Sequence, residues 1–159
     1  MAAAQNGWSL VAEHRERPVR MRRFIPWHWA QQSPNTPFES AVLPNEAFTF
    51  QVAIIAGDEP LTDVRVAFDG FPDGWADAFT CFNCEGVDEK GQDFQKEISV
   101  PAGSIQPLWM GIRIPEDARP GAVEGSVTVA SANRGEQSVR VALEVRQGSA
   151  AHGGADEPD

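Results

Sequence analysis

The stretch at positions 106 to 129, QPLWMGIRIPEDARPGAVEGSVTV, constrains the fold more than any other part of the chain. Its first half alternates with the period of a β-strand: Leu108, Met110, Ile112 and Ile114 share one face, and Trp109, Gly111 and Arg113 the other. In the second half Val123, Val127 and Val129 face one way, and Glu124, Ser126 and Thr128 the opposite way. Pro115 and Pro120 lack an amide hydrogen and fix φ, so neither sits inside a central ladder, and Gly121 lets the chain turn. The expectation is a hairpin, a strand, a rigid turn and a second strand, within an antiparallel β protein.

The same period recurs on both sides of this stretch. Phe48, Phe50, Val52 and Ile54 alternate with Thr49, Gln51 and Ala53; Gly57, Asp58, Glu59 and Pro60 supply a turn, and Val64, Val66 and Phe68 follow as the partner strand. Each large side chain buried contributes about 1.5 to 3 kcal/mol, so aspartate at Phe50 or Val66 is expected to unfold the domain. Val139, Val141, Leu143 and Val145 make a last strand behind a hairpin turn at 132–136. Shorter strands are expected at 8–12, 20–24, 79–82 and 94–100. Positions 26–37, rich in proline and holding two tryptophans, read as a surface loop. No segment keeps a helical period over the ~11 residues a helix needs. The fold class is therefore all-β: a two-sheet antiparallel β-sandwich, immunoglobulin-like, of about eight or nine strands. A chain of 159 residues supports one such core. We place a flexible leader at 1–7, the sandwich at 8–146, and a disordered acidic tail or linker at 147–159.

Charge narrows the partners. With 13 basic against 23 acidic residues the chain carries −10, which argues against general binding to nucleic acid or to an anionic membrane. No apolar run reaches the ~18 to 20 residues of a bilayer span, and the first residues do not read as a signal peptide. The exception to the acidic balance is Arg15, Arg17, Arg20, Arg22 and Arg23, set beside Glu13 and Glu16. They read as a charged edge strand protected from aggregation, with Arg20 and Arg22 on one face open to a partner.

Carboxylate pairs can hydrolyse glycosides, but only where a cleft separates their environments. The pairs Asp58-Glu59, Asp88-Glu89, Glu116-Asp117 and Asp156-Glu157 lie in turns or in the tail. Asp88, Glu89 and Asp93 lack the spacing of a calcium loop. No nucleophile elbow, phosphate loop or dinucleotide fingerprint is present, so no catalytic residue, metal or cofactor is assigned. Cys81 and Cys84 form one CxxC, CFNC. In an extended strand, positions three apart lie about 10 Å apart on opposite faces, so a disulfide requires a turn at Phe82 and Asn83. Unpaired thiols, a local disulfide, and redox or metal chemistry all stay open, although His14, His28 and His152 are too scattered to complete a zinc site. Among the aromatics are five tryptophans and no tyrosine. Trp27 and Trp29, flanking His28, stack on a sugar, bury against a neighbouring domain, or plug the end of the sandwich. Trp109, opposite the core-facing run, asks for the same kind of partner. Trp27, His28, Trp29 and Trp109 are the candidate binding or interdomain contacts.

The segments LPNEAFTFQVAIIAGDEPLTDVRV, FTCFNCEGVD and QPLWMGIRIPEDARPGAVEGSVTV, in this order, resemble the N-terminal non-catalytic β-sandwich domain of large bacterial glycoside hydrolases. The group in question is akin to glycoside hydrolase family 123 and related uncharacterised glycosidase-like proteins. The positions that carry the resemblance are Glu46, Phe48, Phe50, Gln51, Leu61, Val64 and Val66, then Pro115, Asp117, Ala118, Pro120, Gly121, Gly125, Val127 and Val129. The likeness extends over roughly 18–145, with Val123 where that group has tyrosine and Cys84 where it has a small polar residue. It implies an accessory module that supports or positions a catalytic barrel in the same or an associated polypeptide, with carbohydrate as a possible ligand and a periplasmic or secreted setting. The barrel carries that family's catalytic carboxylates, and no position here corresponds to them. The rival readings are an autonomous carbohydrate-binding module using exposed tryptophans and, less favoured, a standalone hydrolase.

Overall fold

Strands form where the side chains alternate, and two sets of strands bury their apolar faces against one another. In the computed structural model, which describes residues 5–20 and 23–150, the chain begins with β1 (Trp8–His14), a one-turn helix α1 (Trp27–Ala30) and β2 (Phe38–Val42). It continues through β3 (Ala47–Ala56), β4 (Leu61–Asp69), β5 (Phe79–Cys81), β6 (Glu85–Val87) and β7 (Asp93–Gln95). The remaining strands are β8 (Ile98–Val100), β9 (Ile105–Arg113), β10 (Gly121–Ser131) and β11 (Gly135–Val145). One sheet has the order β1-β3-β9-β5, the facing sheet β2-β11-β10-β4-β8, and β6-β7 form a small separate ribbon. The result is the all-β two-sheet sandwich that the periodicity predicts. No helix among the described residues is long and apolar enough to cross a membrane.

The core is a ladder of phenylalanines joining the sheets. Phe38 of β2 stacks on Phe50 of β3 with ring centroids 4.8 Å apart, and Phe68 of β4 stacks on Phe79 of β5 at 4.8 Å. Phe50 meets Phe79 edge-on at 6.5 Å, which links the two pairs. Val52, Ile54, Leu108, Met110 and Ile112 fill the layer on one side, and Val127, Val129, Val139, Val141 and Leu143 on the other. Phe71 packs on Phe79 at 4.7 Å and lies across Gly125 of β10, where a Cβ would meet its ring at 2.4 Å. Gly125→Ala is expected to push this ring out of place and lower stability by about 1 to 3 kcal/mol, read as a lower midpoint in thermal unfolding.

Several sequence expectations are corrected. Positions 106–129 are not a hairpin: β9 pairs with β3 and β5, whereas β10 pairs with β11 and β4. The proline-bracketed turn carries the chain from one sheet to the other, because both strands turn their apolar faces to one core from opposite sides. For the same reason β4 is not the partner of β3 but crosses to the second sheet. The only hairpin of the three to form as expected is β10–β11, with Ser131 opposite Gly135. The sandwich is not wholly antiparallel, since β2 runs parallel to β11, Phe38 opposite Val141 and Val42 opposite Val145. No strand forms at Arg20, Arg23 or Phe24, and Met21 and Arg22 lie outside the described residues. The expected run at 94–100 breaks into β7 and β8. Apart from these corrections, residues 5–7 make a short kinked turn with Asn6 at a φ of 62°, and the Ala150 amide donates to the Pro44 carbonyl at 2.9 Å. The rest of the expected leader, positions 1–4, and the rest of the tail, 151–159, lie outside the described residues.

Candidate functional site

Alternation places Trp8 and Leu10 of β1 in the core and turns Val11 and Glu13 to the outer face of the four-stranded sheet. On that face Val11, Ala53 and Ile105 form a second, smaller apolar cluster covered by Trp29, with Val19 and Ile25 packed against it. The segment after β1 therefore folds over the outside of the sheet and stands as a partial third layer. This accounts for Trp29, only 4% exposed, and for the short helix that sequence periodicity does not predict.

Two polar residues hold the segment down. Register puts Glu13 opposite Gln51, and Gln51 opposite Trp109, in one row across β1, β3 and β9. Gln51 is fully buried; its Oε1 accepts from the Val19 amide at 2.7 Å, and its Nε2 donates to the carbonyls of His14 at 3.1 Å and Arg17 at 3.2 Å. Glu13, 4% exposed, accepts at Oε2 from the Trp29 indole at 3.1 Å and at Oε1 from the His14 amide at 3.0 Å. His28 Nε2 lies 3.1 Å from the same Oε2. Burial pushes the Glu13 pKa up, but the hydrogen bonds from Trp29, His14 and His28, with the Arg17 charge, outweigh it and hold the carboxyl below its ordinary value. Both carboxylate oxygens are taken up by groups of the covering segment and β1, so Glu13 anchors that segment to the sheet. Sequence alone does not pair Glu13 with Gln51, because Glu13 reads there only as one charge among the arginines. The available signal was its place on the outer face of β1, two positions after Val11.

The structure separates the four predicted contact residues. His28 and Trp29 converge on Glu13, with His28 half-exposed beside a pocket of about 200 Å³ that Arg17, Val19 and Arg20 also line. Trp27 points away and is 78% exposed, the most exposed of the large apolar side chains described. Trp109 is half-buried, its amide donating to Asn83 Oδ1 at 2.7 Å and its carbonyl accepting from the Phe82 amide at 2.9 Å. Phe82, about half exposed, lies across Gly111 on the outer side of this sheet, and the segment that covers the same side exposes Phe24 and Trp27. Cys81 and Cys84 stand elsewhere, at the end of β5, with free thiols in contact at 3.6 Å. Among the described residues no group of three or more His, Cys, Asp or Glu side chains gathers as a metal ion requires.

Fold and site together define a β-sandwich domain whose outer sheet face is buttressed by its own N-terminal segment. No family model matches the chain, and no curated protein matches it. Among solved structures it is similar to a family 123 glycoside hydrolase from Clostridium perfringens, described in terms of glycolipid glycan hydrolysis. That alignment has a TM-score of 0.57 and 14% identity, and covers 86% of this chain and 27% of the hydrolase. A DUF4466 family protein from Parabacteroides merdae aligns with a TM-score of 0.42 and 17% identity over 84% of this chain and 42% of its own. A PapD-like domain of human CEP192 aligns with a TM-score of 0.41 and 14% identity over 74% and 83%. At these identities the likeness is one of fold, and the chain spans about a quarter of the hydrolase, 27% of its length.

Proposed function

We infer that the chain is a non-catalytic accessory module of a bacterial carbohydrate-active enzyme, seating a separate catalytic barrel on the outer face of its four-stranded sheet. The observation that carries this reading is the fold match to a family 123 glycoside hydrolase, which takes in 86% of this chain but only 27% of that enzyme. The sequence resemblance points the same way, and the exposed Trp27 on a face stiffened by Glu13 and Gln51 supplies an anchor for an interface. The test starts from the reading frames that adjoin this chain's own. A catalytic barrel encoded there is expected to co-elute with the chain when the two are produced together. Trp27→Ala is expected to weaken that association by on the order of 2 kcal/mol, about thirtyfold in Kd. Hydrolysis of aryl glycosides of galactosamine or glucosamine by this chain alone would overturn the reading.

A second reading, an autonomous carbohydrate binder, is favoured by Trp27 alone, because Trp29 is buried and donates its indole N–H to Glu13. Affinity electrophoresis through a panel of polysaccharides separates the two: retardation that Trp27→Ala removes supports binding of sugar, and unretarded migration on every glycan rejects it.

A further inference from the structure

The outer sheet face leaves the CFNC turn unexplained, and that turn brings two free thiols into contact. β5 ends at Cys81, and the Cys84 amide donates to the Cys81 carbonyl at 2.9 Å, closing a four-residue turn over Phe82 and Asn83. Such a turn brings its end Cα atoms within about 7 Å, inside the range a disulfide spans. The turn is tied down on every side. Phe82 and Asn83 both bond to Trp109 of β9, the Phe82 ring lies against Gly111, and the Lys96 amide donates to the Cys84 carbonyl at 2.6 Å. The thiols are held with Sγ atoms 3.6 Å apart, so bonding requires them to close by only about 1.5 Å.

The two sulfurs are not equivalent. Cys81 is 1% exposed, whereas Cys84 is half-buried and both line a pocket of about 640 Å³. The pocket's size falls among small-molecule sites, roughly 300 to 1,000 Å³. Arg65 and Glu97 at its edge pair with each other, Arg65 Nε donating to Glu97 Oε1 at 3.1 Å, so Lys96 and Glu85 are the charges of opposite sign that a ligand meets beside Cys84. The hydrogen bond from Cys81 draws the Cys84 thiol below its ordinary pKa, against burial and Glu85, with Lys96 adding to the pull. The same hydrogen bond, then burial, push Cys81 well above its ordinary value.

We propose that Cys84 and Cys81 form a thiol–disulfide exchange site, Cys84 the attacking and Cys81 the resolving sulfur, for a low-molecular-weight zwitterionic disulfide bound in this pocket. The Cys84 thiolate attacks one sulfur of R–S–S–R; a mixed disulfide forms, the R–S–S–R bond breaks, and one RS⁻ leaves and takes up a proton. Cys81 then gives its proton to solvent as its sulfur attacks Cys84 Sγ. The Cys81–Cys84 bond forms, the bond to R breaks, and the second RS⁻ leaves. Two protein thiols are oxidised to one disulfide while one R–S–S–R is reduced to two RSH, and the reverse reaction returns the dithiol.

The experiment treats the protein with oxidised glutathione, quenches with an alkylating agent and reads intact mass. Wild type is expected to lose two hydrogens and accept no alkyl group. Cys81→Ser is expected to accumulate one glutathionyl group on Cys84, and Cys84→Ser to acquire none. Should either serine variant fail to fold, limited alkylation of native wild type reads the same asymmetry. Cys84 is then expected to react more than about tenfold faster than Cys81, because exposure and thiolate fraction both favour it. Wild type that stays doubly alkylatable in oxidised glutathione, or faster reaction at Cys81 in either format, overturns the proposal.

Discussion

Phe50→Asp is expected to leave the chain without a cooperative unfolding transition at 25 °C. Phe50 has no exposed surface and touches three other rings, stacking on Phe38 and Phe48 and meeting Phe79 edge-on. Removing a buried phenylalanine side chain costs about 3 to 5 kcal/mol, and an uncompensated buried carboxylate adds several more. Domains of this kind hold about 5 to 15 kcal/mol in all, so the sum reaches the whole of their stability. Val66→Asp is expected to behave differently from the sequence expectation, which put the two substitutions on one footing. Val66 is half-buried, packing on the edge of the core while lining the open dithiol pocket, so a carboxylate there keeps access to water. Far-ultraviolet dichroism on heating distinguishes them: a sigmoidal melt for Val66→Asp and none for Phe50→Asp.

Glu13→Ala is expected to lower stability by about 1 to 3 kcal/mol, the cost of leaving one buried donor, the Trp29 indole, without an acceptor. The His14 amide, on an exposed residue, can turn to water instead. The loss carries a signature in pH. The folded Glu13 pKa lies below the ordinary value near 4.5, so the unfolded chain takes up the proton first as pH falls. Its contribution is complete above that ordinary value and disappears as pH drops through the lower folded one. Urea unfolding between neutral and acid pH is expected to show wild type losing its advantage over Glu13→Gln in that window. An advantage that instead grows toward acid contradicts the assignment of Glu13 as an ionised anchor.

These residues also show what a sequence can and cannot disclose. Periodicity in β3, β9 and β11 identifies which side chains are inside, because an apolar face two residues in period has no other stable place. It does not say from which side of the core a strand looks inward. That is why positions 115–120 read as a hairpin when they are a crossing between sheets. FESAV in β2 went unnoticed because Ser40 interrupts the inward row between Phe38 and Val42, and its partner β11 lies at the far end of the chain. The segment over the outer face carries no period at all. Its position depends on single side chains, Gln51 binding three backbone groups and Glu13 binding an indole, and such contacts leave no repeat to read. Cys81 and Cys84 were visible as a spacing, but the turn that brings their sulfurs together depends on Trp109 of another strand.

The parallel pairing of β2 with β11 determines when the domain can form as well as how. Phe38 finds its ladder partner in Val141, near the other end of the sandwich in sequence, and the Trp8 indole donates to the carbonyl of Arg134, 126 positions later. During synthesis the first strands leave the ribosome with no mate for one edge and with their aromatic faces bare. Closure waits for the last strand to arrive. A topology dominated by such distant pairings belongs with the slow folders, over milliseconds to seconds, rather than with the helical bundles. The nascent sandwich's exposure to other molecules is therefore set by the time needed to make β10 and β11.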